Sequence, residues 1–132
     1  EMPLAVQCFN VFRNRYCGAC WQDKNIHIIP TVGWADERSY DFTFLGIEKG
    51  SIIALSTKGI KKSLAAKKMF MEGLDECVKK IEPSNIICHA DPFDELRNKY
   101  KDLLIVKKYL TLKGGKITWG AEDKVLTRAI GK

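Results

Sequence analysis

The chain has 132 residues, 45% of them apolar and 29% charged, with a formal net charge of +6 at neutral pH. That length fits one domain that buries its own core without disulfide or metal staples. No apolar run approaches the roughly 20 residues needed to span a bilayer, and no basic stretch followed by an apolar one marks a secretory leader, so no membrane partner is expected.

Glu1 precedes Met2, so the expectation is that residues are missing upstream or that Glu1 is a cloning remnant. From Pro3 to about Trp21 the spacing predicts a helix: Leu4, Cys8, Phe12, Tyr16 and Ala19 recur every three or four residues and form one apolar face, with Asn10, Arg13 and Asn14 opposite. Pro3 suits a first helical turn. Next comes the run Ile26-His27-Ile28-Ile29-Pro30-Thr31, then a polar loop from Gly33 to Ser39. The alternating stretch Tyr40 to Leu45 predicts a short accessory strand that Gly46 breaks.

The second run spans Ser51 to Ser56, and Lys58-Gly59 turns the chain into a long helix predicted from about Lys61 to Ile81. Leu64, Phe70, Leu74, Cys77, Val78 and Ile81 supply its apolar stripe, and Pro83 stops it. A third run, Asn85 to His89, ends at Ala90-Asp91-Pro92; a short helix from Phe93 to Tyr100 leads to the fourth, Leu103 to Val106. Runs this short, rich in Ile and without polar alternation, read as strands buried on both faces of a parallel sheet. The predicted fold class is therefore α/β: a mainly parallel sheet of about four core strands with covering helices, either open, part of a larger sheet, or the arc of an incomplete barrel. Residues 1–108 make that domain. Residues 109–132 form a basic hairpin about Gly114-Gly115 and a C-terminal tail.

Five cysteines give an odd count. Cys77 and Cys88 lie in apolar stretches and read as small core residues. Cys17-Gly-Ala-Cys20 has the spacing of redox or zinc pairs, but it closes a helix, no second pair stands at metal spacing, and His27 and His89 are isolated. Packing is the preferred reading of both the CxxC and His27, with no metal and no cofactor expected. This cysteine usage suits a reducing cytoplasm.

The stretches Met2-Pro3-Leu4, Gln7, Asn10 and Arg13-Asn14-Arg15, then Ile29-Pro30-Thr31-Val32-Gly33-Trp34 and Ser39-Tyr40, then Gly46-Ile47 and Ser51 through Gly59, together resemble a bacterial family catalogued as domain of unknown function 4417. Phe70, Gly73-Leu74 and Pro83 fit as well, so the resemblance covers about Met2 to Val106. It implies an α/β fold, a phage or mobile-element setting, and a further strand and helix before Met2. It carries no catalytic role. Where the family has an aromatic residue and glycine after the third strand, this chain has His89-Ala90.

In parallel sheets ligands sit beyond the carboxyl ends of the strands, so the clusters there are the candidate sites. Ser56, Thr57, Lys58 and Gly59 offer hydroxyls, backbone N–H groups and a cation near a helix amino terminus bearing Lys61 and Lys62, a combination suited to phosphate or carboxylate. The alternative is a capped turn with solvated lysines. His89 and Asp91 would be an acid–base pair, whereas Asp91-Pro92 reads first as an N-cap and first helical residue. Trp34 either stacks on a base or sugar or lids the core. Asn10 and Arg13, about one turn apart, point to the same rim or to solvent. From Lys101 to Lys132 eight Lys or Arg stand against three Asp or Glu, and Lys107, Lys108, Lys113, Lys116 and Trp119 would meet a phosphate backbone. The leading expectation is an accessory binding protein of a phage or mobile element, acting on nucleic acid or host machinery. The alternative is an α/β enzyme holding a phosphorylated or nucleotide ligand at the strand ends.

Overall fold

The computed structural model describes residues 2–107, 111–113 and 116–118. Helix α1 (Leu4–Gln22) is followed by a 3-10 helix (Glu37–Asp41), then β1 (Ile52–Ser56), a second 3-10 turn (Ile60–Lys62), α2 (Leu64–Ile81), β2 (Asn85–His89), α3 (Asp94–Lys99), β3 (Leu104–Lys107) and the paired segments β4 (Thr111–Lys113) and β5 (Lys116–Thr118). The fold is mixed α/β with a parallel sheet in the order β1-β2-β3; β4 pairs antiparallel with β5.

Four core strands are not seen. The run from Ile26 to Thr31 lies beside β1 and makes a single parallel bridge, Thr31 to Ala54. Its bonds are the Val32 N–H to the Ala54 carbonyl at 2.8 Å and the Ala54 N–H to the Pro30 carbonyl at 2.9 Å. Pro30 has no N–H to give to a ladder, and its φ is fixed, which keeps this segment to one rung.

The sheet is also less buried than Ile-rich runs suggest. In β1 and β2 burial alternates: Ile53, Leu55, Ile86 and Cys88 are sealed, whereas Ile52, Ala54 and Ile87 are half-buried. Helix α2 covers the sealed face with Phe70, Gly73, Leu74, Cys77 and Ile81, and α3 adds Leu96. Leu64 of the predicted stripe is 83% exposed, because α2 starts only there, capped by the Ser63 hydroxyl accepting from the Ala66 N–H at 3.3 Å. Its other end is closed by Glu82 in the left-handed region (φ 50°), and Pro83 follows.

Residues 40–45 are not a strand. Tyr40 and Phe44, four residues apart, turn their rings to the same side with centroids 6.1 Å apart, and Phe44 meets Trp34. Asp36 starts that turn by accepting from the Arg38 N–H, and Ser39, buried, donates to the Asp36 carbonyl. Trp34 packs on Phe70 and directly against the α2 backbone: a Cβ on Gly73 would overlap its indole Nε1.

Helix α1 is inverted relative to its sequence pattern. None of its residues is fully buried. The partly covered positions are Gln7, Val11, Arg15 and Gly18, while Phe12 and Tyr16 of the apolar face are 59% and 61% exposed. Polar contacts hold α1 to the body: Arg15 donates to the carbonyls of Leu45 (3.0 Å), Thr43 (3.0 Å) and Thr31 (3.3 Å), and Asn14 to the Thr31 hydroxyl (3.4 Å).

Candidate functional site at the strand carboxyl ends

The parallel register sets Ser56 of β1 beside His89 of β2, and His89 beside Lys107 of β3. Three chemically capable residues therefore share one level at the carboxyl edge of the sheet. The Ser56 Oγ stands 3.4 Å from the His89 Nδ1 and accepts from the Lys58 N–H at 3.3 Å. Ser56, Lys58, His89 and Asp91 are all exposed along this rim.

Thr57 plays a different part from its neighbours. It is buried, its N–H donates to the His89 carbonyl at 3.2 Å, and its hydroxyl donates to the Asp91 carbonyl at 3.0 Å. It thus ties the loop after β1 to the loop after β2 and fixes the spacing of the rim. Gly59 adopts φ 85°, a conformation that glycine takes without a Cβ penalty, and opens the 3-10 turn rather than a helix. The long helix begins at Leu64, so the Ser56–Gly59 cluster does not feed directly into its amino terminus.

The N-cap expected of Asp91 is overturned. Helix α3 starts at Asp94 with Phe93 as its N-cap, because Pro92 and Phe93 are buried and carry the chain inward before it coils. Asp91 is left on the rim, and the His89 ring is set against Ser56. Ala90 between them has φ 79°, an uncommon conformation for any residue with a Cβ.

The other predicted residues fall elsewhere. Trp34 is lodged among Phe44, Phe70 and Gly73 as a lid on the core. Asn10 donates to the Met2 sulfur at 3.5 Å, and Arg13 lies over the Phe9 ring at 5.9 Å; both are on the exposed side of α1. His27 is exposed, not a buried histidine, since its run makes only one rung. Cys17 and Cys20 are exposed free thiols, as is Cys8, so the CxxC does not pack. Cys77 and Cys88 are buried in the core, where desolvation pushes the Cys77 thiol up to about 12 and raises that of Cys88. Lys107, Lys113 and Lys116 are placed by backbone alone; Lys108 and Trp119 lie outside the described residues. Among the described residues no cluster of three or more His, Cys, Asp or Glu side chains is arranged to hold a metal ion, and no helix is long and apolar enough to cross a membrane.

Two features escaped the sequence reading. One is the Arg15 clamp, signalled only by the spacing of Gln7, Val11, Arg15 and Gly18. The other is a groove of about 1070 Å³ at the opposite, amino end of the strands, lined by Gly18 and Gln22 of α1 and by Ile52, Ser84 and Asn85.

A family model described as domain of unknown function, DUF4417, matches residues 1–109. The chain belongs to this family. It is similar to the Gene 1 protein of Mycobacterium phage L5, 37% identical over 124 residues, which is 93% of this chain and 52% of that protein. It is also similar to the Gene 1 protein of Mycobacterium phage D29, 37% identical over 90 residues, 68% of this chain and 33% of that protein. The chain spans about half the length of the first relative and a third of the second. No solved structure matches it significantly.

Proposed function

We propose that this member of DUF4417 is a phage or mobile-element accessory protein that binds nucleic acid, using the strand carboxyl rim and the basic segment that begins on it. The observation that carries the reading is the register Ser56–His89–Lys107: the excess of lysine and arginine after residue 101 starts on the same edge that displays Ser56, Lys58 and His89. The exposed Ser56 hydroxyl and Lys58 on this rim suit phosphates, which position a nucleic acid without reading its sequence. Phage relatives support the setting.

Fluorescence anisotropy with labelled single-stranded and duplex oligonucleotides tests it. Affinity should fall steeply between about 50 and 200 mM salt, and removing residues 111–132 should abolish binding. Salt-insensitive binding, or binding that survives the deletion, contradicts the reading.

A second reading, an enzyme acting on a phosphorylated or nucleotide ligand at this rim, draws on the 3.4 Å approach of Ser56 Oγ to His89 Nδ1, the geometry of a nucleophile beside a base. It predicts that a fluorophosphonate probe labels Ser56 and that His89→Ala suppresses labelling. Absence of labelling in the folded protein removes it.

A further inference from the structure

The rim holds a group whose charge changes within the ordinary working range of pH. A histidine ring takes up its proton between about pH 8 and 5, and the chain has two histidines, His27 and His89. His27 lines the groove at the amino ends of the strands. His89 closes β2 at the opposite end, exposed, in register with Ser56 of β1 and Lys107 of β3. The backbone holds it there. The Thr57 N–H donates to the His89 carbonyl at 3.2 Å and the Thr57 hydroxyl to the Asp91 carbonyl at 3.0 Å, which ties the two strands just beyond the contact between Ser56 and the ring.

We infer that His89 is a proton-operated switch on this rim, which turns the Ser56 hydroxyl toward a bound phosphate only when the ring is charged. The inference rests on the nucleic-acid reading above and names how that binding is regulated. Ser56 Oγ and His89 Nδ1 stand 3.4 Å apart, a contact with room for one hydrogen. Oγ already accepts from the Lys58 N–H at 3.3 Å, so a neutral ring is best satisfied by taking the Ser56 hydrogen on Nδ1. The hydroxyl is then occupied by the ring and shows solvent only a lone pair, which repels phosphate oxygens. When a proton from solvent adds to Nδ1, both ring nitrogens are donors and the direction of the bond reverses. Oγ now accepts from Nδ1–H and from Lys58, and its own hydrogen, still bonded to it, rotates outward. One proton gives the rim both a donor and a positive charge.

Charged groups stand on each element around the ring. Lys58 is on the loop after β1, Lys61 on the 3-10 turn, Lys107 beside His89 on β3, Arg97 on α3 and Asp91 on the loop of His89 itself. The charges of Lys61, Asp91 and Arg97 reach the neighbouring Cys88. These cations outnumber Asp91, so the proton adjusts an existing attraction for phosphate. The nucleophile reading of the same pair needs the neutral ring, so the two readings of this rim call for opposite states of one proton.

Fluorescence anisotropy of the full chain with a labelled oligothymidylate, whose bases do not titrate in this range, tests the switch at about pH 8 and about pH 5.5 over a series of salt concentrations. On lowering the pH, wild type should bind about tenfold more tightly, and its slope of log affinity against log salt should steepen by about 0.7. His27→Gln should keep both changes, and His89→Gln should lose both. Ser56→Ala should keep the steeper slope, which reports the charge, and lose most of the gain in affinity, which reports the hydroxyl. Equal affinity and slope at both pH values, a gain that survives His89→Gln, or a full gain in Ser56→Ala overturns the inference while leaving the nucleic-acid reading in place. No binding at either pH contradicts both.

Discussion

Single positions carry much of this fold's specificity. Gly73 lies mid-helix, where glycine normally costs about 1 kcal/mol relative to alanine. Here the sign reverses, because the added methyl would strike the Trp34 indole backed by Phe44 and Phe70. Gly73→Ala should destabilise by about 1–3 kcal/mol in urea unfolding, with part of the loss recovered by Trp34→Phe. Ala90 predicts the converse. Its φ of 79° costs about 1 kcal/mol, so Ala90→Gly should raise the unfolding midpoint. The thiols give a third test. Cys8, Cys17 and Cys20 should react with Ellman's reagent at once, and Cys77 and Cys88 only on unfolding. Cys77 holds its proton up to about 12 when folded, whereas the unfolded thiol releases it at about 8.5. The native state therefore binds more protons in between, and stability present below the unfolded value should be lost as pH climbs toward 12. A flat alkaline profile contradicts that assignment.

At the level of elements, legibility followed the strength of the local pattern. Helix α2 and strands β1, β2 and β3 were readable within a few residues because apolar period, breakers and tertiary burial agree there. The first run was read as a full strand, yet Pro30 leaves it one rung. The 40–45 stretch alternates like a strand, but Tyr40 and Phe44 reach the core four residues apart around a turn fixed by Asp36 and Ser39. Helix α1 was found, and its apolar face is the exposed one, since periodicity shows that a stripe exists without saying which body covers it. Anchorage through Arg15 leads to a prediction of its own. Arg15→Ala removes three bonds from a cation to carbonyls and should cost about 1.5–3 kcal/mol. Hydrogen exchange should show α1 amides opening while β1 and β2 remain protected; unchanged α1 protection would mean that the clamp does not hold the helix.

Across the whole molecule, two opposite faces do different work. The sealed face of the sheet, with α2 and α3, makes the core. The other face is less sealed, with Ile52, Ala54 and Ile87 half-buried, and α1 lines a groove at the amino ends of the strands. The carboxyl ends of the parallel strands were legible from the sequence, because parallel crossovers place loops there whatever the loops contain. Their composition was less legible. Thr57 turned inward to tie two loops, Asp91 stayed on the rim instead of capping α3, and Trp34, Asn10 and Arg13 were placed away from it, since these outcomes depend on neighbours distant in sequence. Phosphate binding at this rim, as proposed, is tested by the slope of log affinity against log salt for a labelled oligonucleotide. The comparison is between wild type, Lys58→Ala on the rim, and Lys49→Ala, which precedes β1 and bonds Glu82 at the other end of the strand. Lys58→Ala should lower the slope by about one and weaken binding, with Lys49→Ala indistinguishable from wild type. Equal slopes for all three proteins would contradict it.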